Sequence, residues 1–350
     1  MNRPICAVIL AAGEGTRMGS LRPKPLHLVN GTPMIVRVVA ATEFDAVTGR
    51  VLVVGHQAAW VERSVRETLP SRVDLHFATQ YDQLGTGHAV LVAMDEVATV
   101  LGASDGDVLI VPGDCPLLRA DSLRRLVDHH RASGAALTLL TATLDQATGY
   151  GRIIRDSQGD VTAIVEERDA SEEQREIREI NTSVMIVRAS VLREALEKLG
   201  RNNAQGEYYL TDVVAILREA GRGVEGTPID DTDEVLGVNT REQLAAVREI
   251  ARRRTLNDWS ARGVTFRDAS TVAIDDAVKL AAGVVVGART ILQGNCQIGQ
   301  GALLGPDVNL RDSLVGARAR VEGSWGALLR IAPGSSVVAR GHLAPGEHLT

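Results

Sequence analysis

Aromatic side chains make up only 3% of this 350-residue chain, too few for the stacking platforms that grip single-stranded nucleic acid. Cysteine is equally scarce. Cys6, Cys115 and Cys296 lie far apart, so no CxxC pair or metal-ligand spacing is present, and an odd, sparse count suits a reducing compartment. Positive charge is not in surplus. The formal net charge is -6 and no long basic run occurs, which disfavours a nucleic-acid or anionic-membrane surface while leaving room for a local basic pocket. The apolar stretch of "MNRPICAVILAAGEG" is too short to span a bilayer and runs into a glycine loop rather than a cleavage site. A cytoplasmic protein is expected. The pattern GxxxxGK[ST] is also missing, so a Walker A loop is excluded.

What is present is a chain long enough for two domains. "ICAVIL" (5–10), "RVLVV" (50–54), "VDLHFA" (73–78) and "DVLIVP" (107–112) are short, β-branched and bounded by Gly, Asp or Pro, and read as buried strands. Helical patterns alternate with them. In "TPMIVRVVAA", Thr32 is the expected N-cap and Pro33 the first helical residue. "GTGHAVLVAMDEVA" and "DSLRRLVDHHRAS" carry helical periodicity, with His88 read as packing or capping its helix and His129 and His130 as an exposed helix end. Such alternation predicts an α/β fold, a mostly parallel sheet covered on both faces. From about 136 to 190 strands separated by turns take over, and the charged "ERDASEEQREIREI" reads as a solvated loop or short helix. Residues 240–259 read as a linking helix, with Thr240 and Gln243 at capping-box spacing and Leu244, Val247, Ile250 and Ala251 on one face.

The tail has a period of six. Ile274, Leu280, Val286, Leu292, Ile298, Leu304 and Leu310 recur in step, and Val278, Val284, Thr290, Cys296, Ala302 and Val308 follow four residues after the first six. The count slips at Val315 and Val321 and resumes at Ile331, Val337 and Leu343. A hexapeptide period predicts short strands stacked on a triangular prism, three hexapeptides to a coil.

Chemistry concentrates in "LAAGEGTRMGSLRPKPL" (10–26). Gly13 and Gly15 allow backbone N–H groups to approach a phosphate. Arg17 can bind phosphate oxygens bidentately, and Lys24 adds a second cation. A glycine loop after a strand is, taken alone, equally a tight turn.

Further stretches decide the matter: "QLGTGHAV" (83–90), "TGYGRI" (148–153), "IVEERDASEEQ" (164–174), "EINTSVMI" (179–186), "NNAQGEYYLTDVV" (202–214) and "GVNTREQL" (237–244). With "LAAGEGTRM…PKPLHLVNGTPM" they resemble, in order, the bacterial bifunctional N-acetylglucosamine-1-phosphate uridylyltransferase/glucosamine-1-phosphate acetyltransferase family. The resemblance implies a Rossmann-like nucleotidyltransferase domain with a mixed, mostly parallel sheet over residues 1–239. A linker helix over 240–262 and a short left-handed parallel β-helix over 263–350 would follow. It implies Mg²⁺-dependent transfer of uridylyl from UTP to N-acetylglucosamine 1-phosphate, as a precursor for cell-wall synthesis. Arg17 and Lys24 would act as catalytic cations. Leu10, Ala11, Ala12, Gly13, Gly15, Gln80, Gly85 and Thr86 would hold the nucleotide. Gly151, Glu166, Asn181, Tyr209 and Thr211 would line the sugar pocket. Asp114 and Asn239, both hard oxygen donors, would bind Mg²⁺. A homo-oligomer, trimeric in the family, is implied too.

Plainer readings stand beside these: Asp114 as a strand-end cap, Asn239 as a helix cap, Gly151 as a turn glycine, Glu166 as a solvated charge, Tyr209 and Thr211 as packing or capping residues, Cys115 as apolar filler. Three departures stand out, of which the first two bear on substrate. Pro112 stands where the family has tyrosine, and Ser183 where it has glycine. "LLRIAPGSSV" (328–337) resembles the start of the acetyltransferase site, so that Arg330 matches an early arginine, but the later residues have no counterpart here. A form without acetyltransferase activity is therefore expected. Alternatives with a different sugar 1-phosphate or nucleotide, or a non-catalytic sugar-nucleotide sensor, remain open on the residues alone.

Overall fold

A computed structural model describes residues 3–71 and 73–349. The chain divides into two compact units, residues 1–27 with 33–243, and residues 28–32 with 244–350.

The first unit is built on a nine-stranded sheet. Its elements in chain order are β1 (Ile5–Leu10), α1 (Met34–Ala41), β2 (Val47–Val54), α2 (Ala58–Thr68), β3 (Leu75–Thr79), α3 (Thr86–Leu101), β4 (Asp107–Pro112), α4 (Ala120–Ser133) and β5 (Leu137–Thr143). There follow β6 (Arg152–Arg155), β7 (Val161–Val165), α5 (Glu172–Arg175), β8 (Glu179–Arg188), α6 (Ala189–Leu196), α7 (Asp212–Glu219) and β9 (Val224–Pro228). The main path runs β9-β5-β8-β4-β1-β2-β3, and β6 pairs with β8 and β7. Strands β4, β1, β2 and β3 are mutually parallel, whereas β8 runs antiparallel to both β4 and β5. The sheet is thus mixed and mostly parallel.

Both faces are apolar because both are covered. Ile5, Ala7 and Ile9 pack on one side with α1, α2 and α4, while Cys6 and Val8 pack on the other with α3, α6 and α7. This is why β1, β2 and β4 read as unbroken apolar runs instead of alternating ones. The chain leaves β1 for β2 and β3 on one side, then crosses back to β4 on the other. In open α/β sheets ligands bind at the carboxyl ends of strands at such a reversal, here beyond Leu10 and Pro112.

Two expectations need correction. Thr32 and Pro33 form a short strand, and α1 begins at Met34 with Pro33 at the N-cap, without a side-chain cap. The proline still ends the extended segment, one position later than expected. His130 is wholly buried, with Nδ1 2.9 Å from Thr138 Oγ1. Spacing explains it: Leu123, Leu126, Val127 and His130 share one helical face, and only His129 is exposed. The charged stretch does form a short helix, α5, closed by a capping box between Ser171 and Gln174.

The helix α8 (Arg241–Ala261) carries its own box, Gln243 N–H donating to Thr240 Oγ1 at 3.2 Å and Thr240 N–H to Gln243 Oε1 at 3.0 Å. Leu244, Val247 and Ala251 are buried on it, whereas Ile250 is only half-buried.

The second unit is a parallel β-helix. All seven aliphatic residues in step from Ile274 to Leu310 are buried, as are the six that follow them by four. Pairing such as Ala273 with Ile291 and Lys279 with Gln297 gives a coil of eighteen residues. The slip is a shortening of the coil: Gln297 pairs with Leu314, seventeen residues on, and Leu314 with Arg330, sixteen on. Asp312, at φ 48, makes the tighter corner, and Val315, Val321, Ile331 and Val337 still point inward.

Candidate active site

A cavity of about 360 Å³ opens at the reversal point, lined by Leu10, Ala11, Ala12 and Gly13 at and after the end of β1, by Pro112, Gly113 and Asp114 at and after the end of β4, by Gln80 just after β3, and by Gly85 and Thr86 at the start of α3. A second cavity of about 200 Å³ adjoins it, lined by Glu166, Asn181, Tyr209 and Thr211. Leu10, Thr86, Ser183 and Glu207 line both.

Lys24 reaches into the first cavity. Its Nζ donates to Asp114 Oδ2 at 2.6 Å and to Asn239 Oδ1 at 3.0 Å. The two side chains come from segments 125 residues apart in sequence, the ends of β4 and of the segment before α8, and their oxygens converge on one cation. Gly15 makes this approach possible. It sits at φ 65, and a Cβ there would lie 2.6 Å from Lys24 Cβ, a separation no side chain tolerates. Arg241 ties the loop down, donating from Nε to the Met18 carbonyl and from Nη2 to the Gly19 carbonyl, both at 2.8 Å. Nothing in the sequence pattern pointed to that arginine.

The donor set suits a divalent ion. One carboxylate and one amide oxygen, already gathered around an ammonium, leave coordination positions for phosphate oxygens, the usual arrangement for Mg²⁺.

Arg17 stands on an exposed 3₁₀ turn (Thr16–Met18) and, with Gly15, is not among the residues lining the cavity. Gly151 is buried beneath the second cavity: a Cβ there would meet Ile164 at 3.0 Å and the Glu166 carboxylate at 3.4 Å. Its carbonyl accepts from Asn181 N–H at 2.8 Å. Thr211 Oγ1 donates to Glu166 Oε1 at 3.1 Å, and the Tyr209 hydroxyl to Asp169 Oδ2 at 3.3 Å. Below them Arg152, 2% exposed, forms an ion pair with Glu167 at 2.8 Å and donates to the Tyr150 and Arg175 carbonyls. One buried guanidinium thus braces the segments of Tyr150, Glu167 and Arg175. Gln83, Ser183 and Glu207 also line the cavities. Gln83 Nε2 donates to the Ala12 carbonyl at 3.0 Å. Cys115 is buried, and burial together with the Asp114 charge pushes its thiol well up, so it is no thiolate nucleophile.

Burial, and then the charges of Asp169 and Asp212, raise the pKa of Glu166 against the opposing hydrogen bond from Thr211. The folded chain therefore binds this proton more readily than the unfolded chain. Stability is lost as pH rises through the raised value. Glu166→Gln keeps the acceptor for Thr211 and removes the charge. Its Tm is expected to exceed that of the parent at pH 7–8, with the difference vanishing below about pH 4.3, the ordinary glutamate value. A melting series showing no gain at neutral pH would contradict this account.

The fold and the paired cavities define a nucleotide-transferring enzyme, and comparison with known proteins gives the class. Residues 7–220 match the MobA-like NTP transferase domain family. The chain is 43% identical to the bifunctional protein GlmU of Streptomyces avermitilis, over 99% of this chain and 71% of that protein. Identity to GlmU of Streptomyces coelicolor is 44%, with the same coverage, and to GlmU of an Exiguobacterium species 42%, over 96% of this chain and 72% of that protein. Among solved structures, a protein described as a glucose-1-phosphate thymidylyltransferase from Bacillus anthracis superposes with a TM-score of 0.56 at 19% identity, over 71% of this chain and 95% of that one, a likeness of fold. This is a sugar-1-phosphate nucleotidyltransferase. The chain belongs to the GlmU family. No helix among the described residues is long and apolar enough to cross a membrane.

Proposed function

We propose that the chain transfers a uridylyl group from UTP to N-acetylglucosamine 1-phosphate with Mg²⁺, giving UDP-N-acetylglucosamine and pyrophosphate. The observation that carries this reading is the convergence of Lys24, Asp114 and Asn239 at the mouth of a glycine-lined cavity that adjoins a second, polar one. Residues 1–239 form the catalytic domain in this reading, 240–262 a linker helix and 263–350 the β-helix.

In the proposed reaction a sugar phosphate oxygen attacks the α-phosphorus in line and pyrophosphate leaves, with no covalent enzyme intermediate. The protein acts by positioning and by stabilising charge. The amides of Ala12 and Gly13 face the phosphates, that of Ala11 being held by the Val53 carbonyl at 2.9 Å, and Gln80, Gly85 and Thr86 face the base. Glu166, Asn181, Tyr209 and Thr211 orient the sugar, with Gly151 shaping the floor beneath them. A divalent ion held by Asp114 and Asn239 would neutralise phosphate charge. Lys24 remains beside it as a preorganised cation, and Arg17 meets the triphosphate from the exposed loop. Homo-oligomerisation, trimeric as the family resemblance implies, is supported by the exposed Leu303, Trp325, Leu328 and Val338 on the second unit. Three free, buried cysteines suit the cytoplasm.

A second reading, another sugar 1-phosphate, is favoured by Ser183. It is a non-glycine residue at φ 61 lining both cavities, and its side chain adds bulk at the junction. A matrix of nucleoside triphosphates against sugar 1-phosphates, read by pyrophosphate release with Mg²⁺ and with chelator, tests both. UTP with N-acetylglucosamine 1-phosphate is expected to give the highest kcat/KM, abolished by chelator. A better pairing elsewhere in the matrix replaces the first reading with the second.

A further inference from the structure

Gln80 is only 5% exposed and lines the larger cavity beside Gly85 and Thr86. Its Nε2 lies 3.0 Å from the Gly85 carbonyl oxygen and 3.1 Å from His88 Nδ1. A backbone carbonyl only accepts. The atom facing Gly85 is therefore the amide NH₂, and this chemistry fixes the side chain's orientation. The histidine follows from it. The atom that His88 Nδ1 meets carries hydrogens, so Nδ1 presents its lone pair and the neutral ring keeps its proton on Nε2. Both amide hydrogens are then engaged. Gln80 Oε1 forms no hydrogen bond with the described residues and is not sealed from open space. His88 was expected to pack or cap its helix, yet α3 has no side-chain cap.

We propose that His88 is a positioning residue for nucleobase selection. Its Nδ1 lone pair and the Gly85 carbonyl together hold Gln80 with Oε1 toward the base. The site then takes bases that carry a ring N–H, such as uracil, thymine or guanine. It rejects cytosine and adenine, whose ring nitrogen would set one lone pair against another. The inference rests on the first cavity being the nucleotide site, as proposed above. An acceptor buried without its donor gives a discrimination on the order of 10- to 100-fold. Were Gln80 to turn over, it would set its oxygen against the Gly85 carbonyl, so the preference holds only while His88 and Gly85 act together.

The test compares the full chain with His88→Leu and His88→Asn in pyrophosphate release from UTP, dTTP, GTP, CTP and ATP. Leucine removes the lone pair, whereas the asparagine oxygen can stand near the place of Nδ1. Wild type is expected to prefer the ring N–H bases. His88→Leu should raise the KM for UTP about ten-fold, leave kcat within about three-fold, and shrink the UTP-to-CTP ratio of kcat/KM about ten-fold. His88→Asn should restore most of that ratio. The ¹⁵N spectrum of the wild-type imidazole, assigned by its loss in His88→Asn, should show the Nε2–H tautomer, whatever the stability of His88→Leu. The proposal is overturned by an unchanged UTP-to-CTP ratio in His88→Leu, by an asparagine no better than leucine, by the Nδ1–H tautomer, or by a wild type preferring CTP or ATP. A wild type that uses no nucleoside triphosphate defeats the nucleotide reading itself. One that prefers UTP, beside a His88→Leu with the same preference, defeats only the role of His88.

Discussion

Lys24→Ala and Asp114→Ala are each expected to slow pyrophosphate release about 10²–10³-fold, the usual cost of removing one preorganised charge from a transition state. The two losses should differ in kind. Lys24 Nζ rests on the Asp114 and Asn239 oxygens, so the ammonium competes for the donors a divalent ion would use. Its side chain is 12% exposed and that of Asp114 23%, so water screens the contact only in part. Alanine at position 24 frees both oxygens, and Mg²⁺ affinity measured by calorimetry should rise while turnover falls. Alanine at position 114 removes the only carboxylate of the pair, so affinity and turnover should fall together. Near-normal rates in either variant at saturating Mg²⁺ would dissolve the site assignment.

Gly85→Ala carries the second large effect. Gly85 has φ 108, and a Cβ there would lie 2.6 Å from the Tyr208 carbonyl oxygen and 2.9 Å from Glu207 Cβ. The segment cannot shift aside cheaply. Gly87 N–H donates to that Tyr208 carbonyl and Tyr208 N–H to the Leu84 carbonyl, both at 2.8 Å, while Leu210 N–H donates to Thr86 Oγ1 at 3.1 Å. The strained dihedral and the clash together should cost about 2–4 kcal/mol, a fall in Tm of roughly 4–15 °C. Because Thr86 and Glu207 line both cavities, the KM values for both substrates should rise. Gly159→Ala separates the two contributions. Its φ is 91 and its Cβ would meet nothing within 4 Å, so only the dihedral cost of about 1–2 kcal/mol remains. Equal melting temperatures for the two variants would remove the clash from the account.

Much of this was legible in the residues, for reasons that are local. Covered parallel strands must be apolar on both faces, so "ICAVIL" and "DVLIVP" could be placed within a residue or so of their ends. The β-helix announced itself because one aliphatic residue must enter the prism at each wall, whatever else the coil contains. Thr240 and Gln243 formed their box because both partners lie within one helical turn. Other features were hidden because their causes are distant. His130 meets its hydrogen-bond partner Thr138 on β5, a contact that "DHHRAS" does not encode. Arg241 reaches carbonyls more than 200 positions away, and no periodicity points to such a contact.

By itself the sequence determined the two architectures, the glycine loop after the first strand and the residue types able to meet phosphate, metal and sugar, since each follows from period or from side-chain chemistry. Only the tertiary structure decided which of them meet. It set Lys24 between Asp114 and Asn239, left Arg17 on an exposed turn outside the cavity lining, and turned the Gln80 amide against His88. The physical reason is that a site at the reversal point of a sheet is assembled from strand ends far apart along the chain, and a hydrogen bond's partner and direction exist only once those ends are side by side.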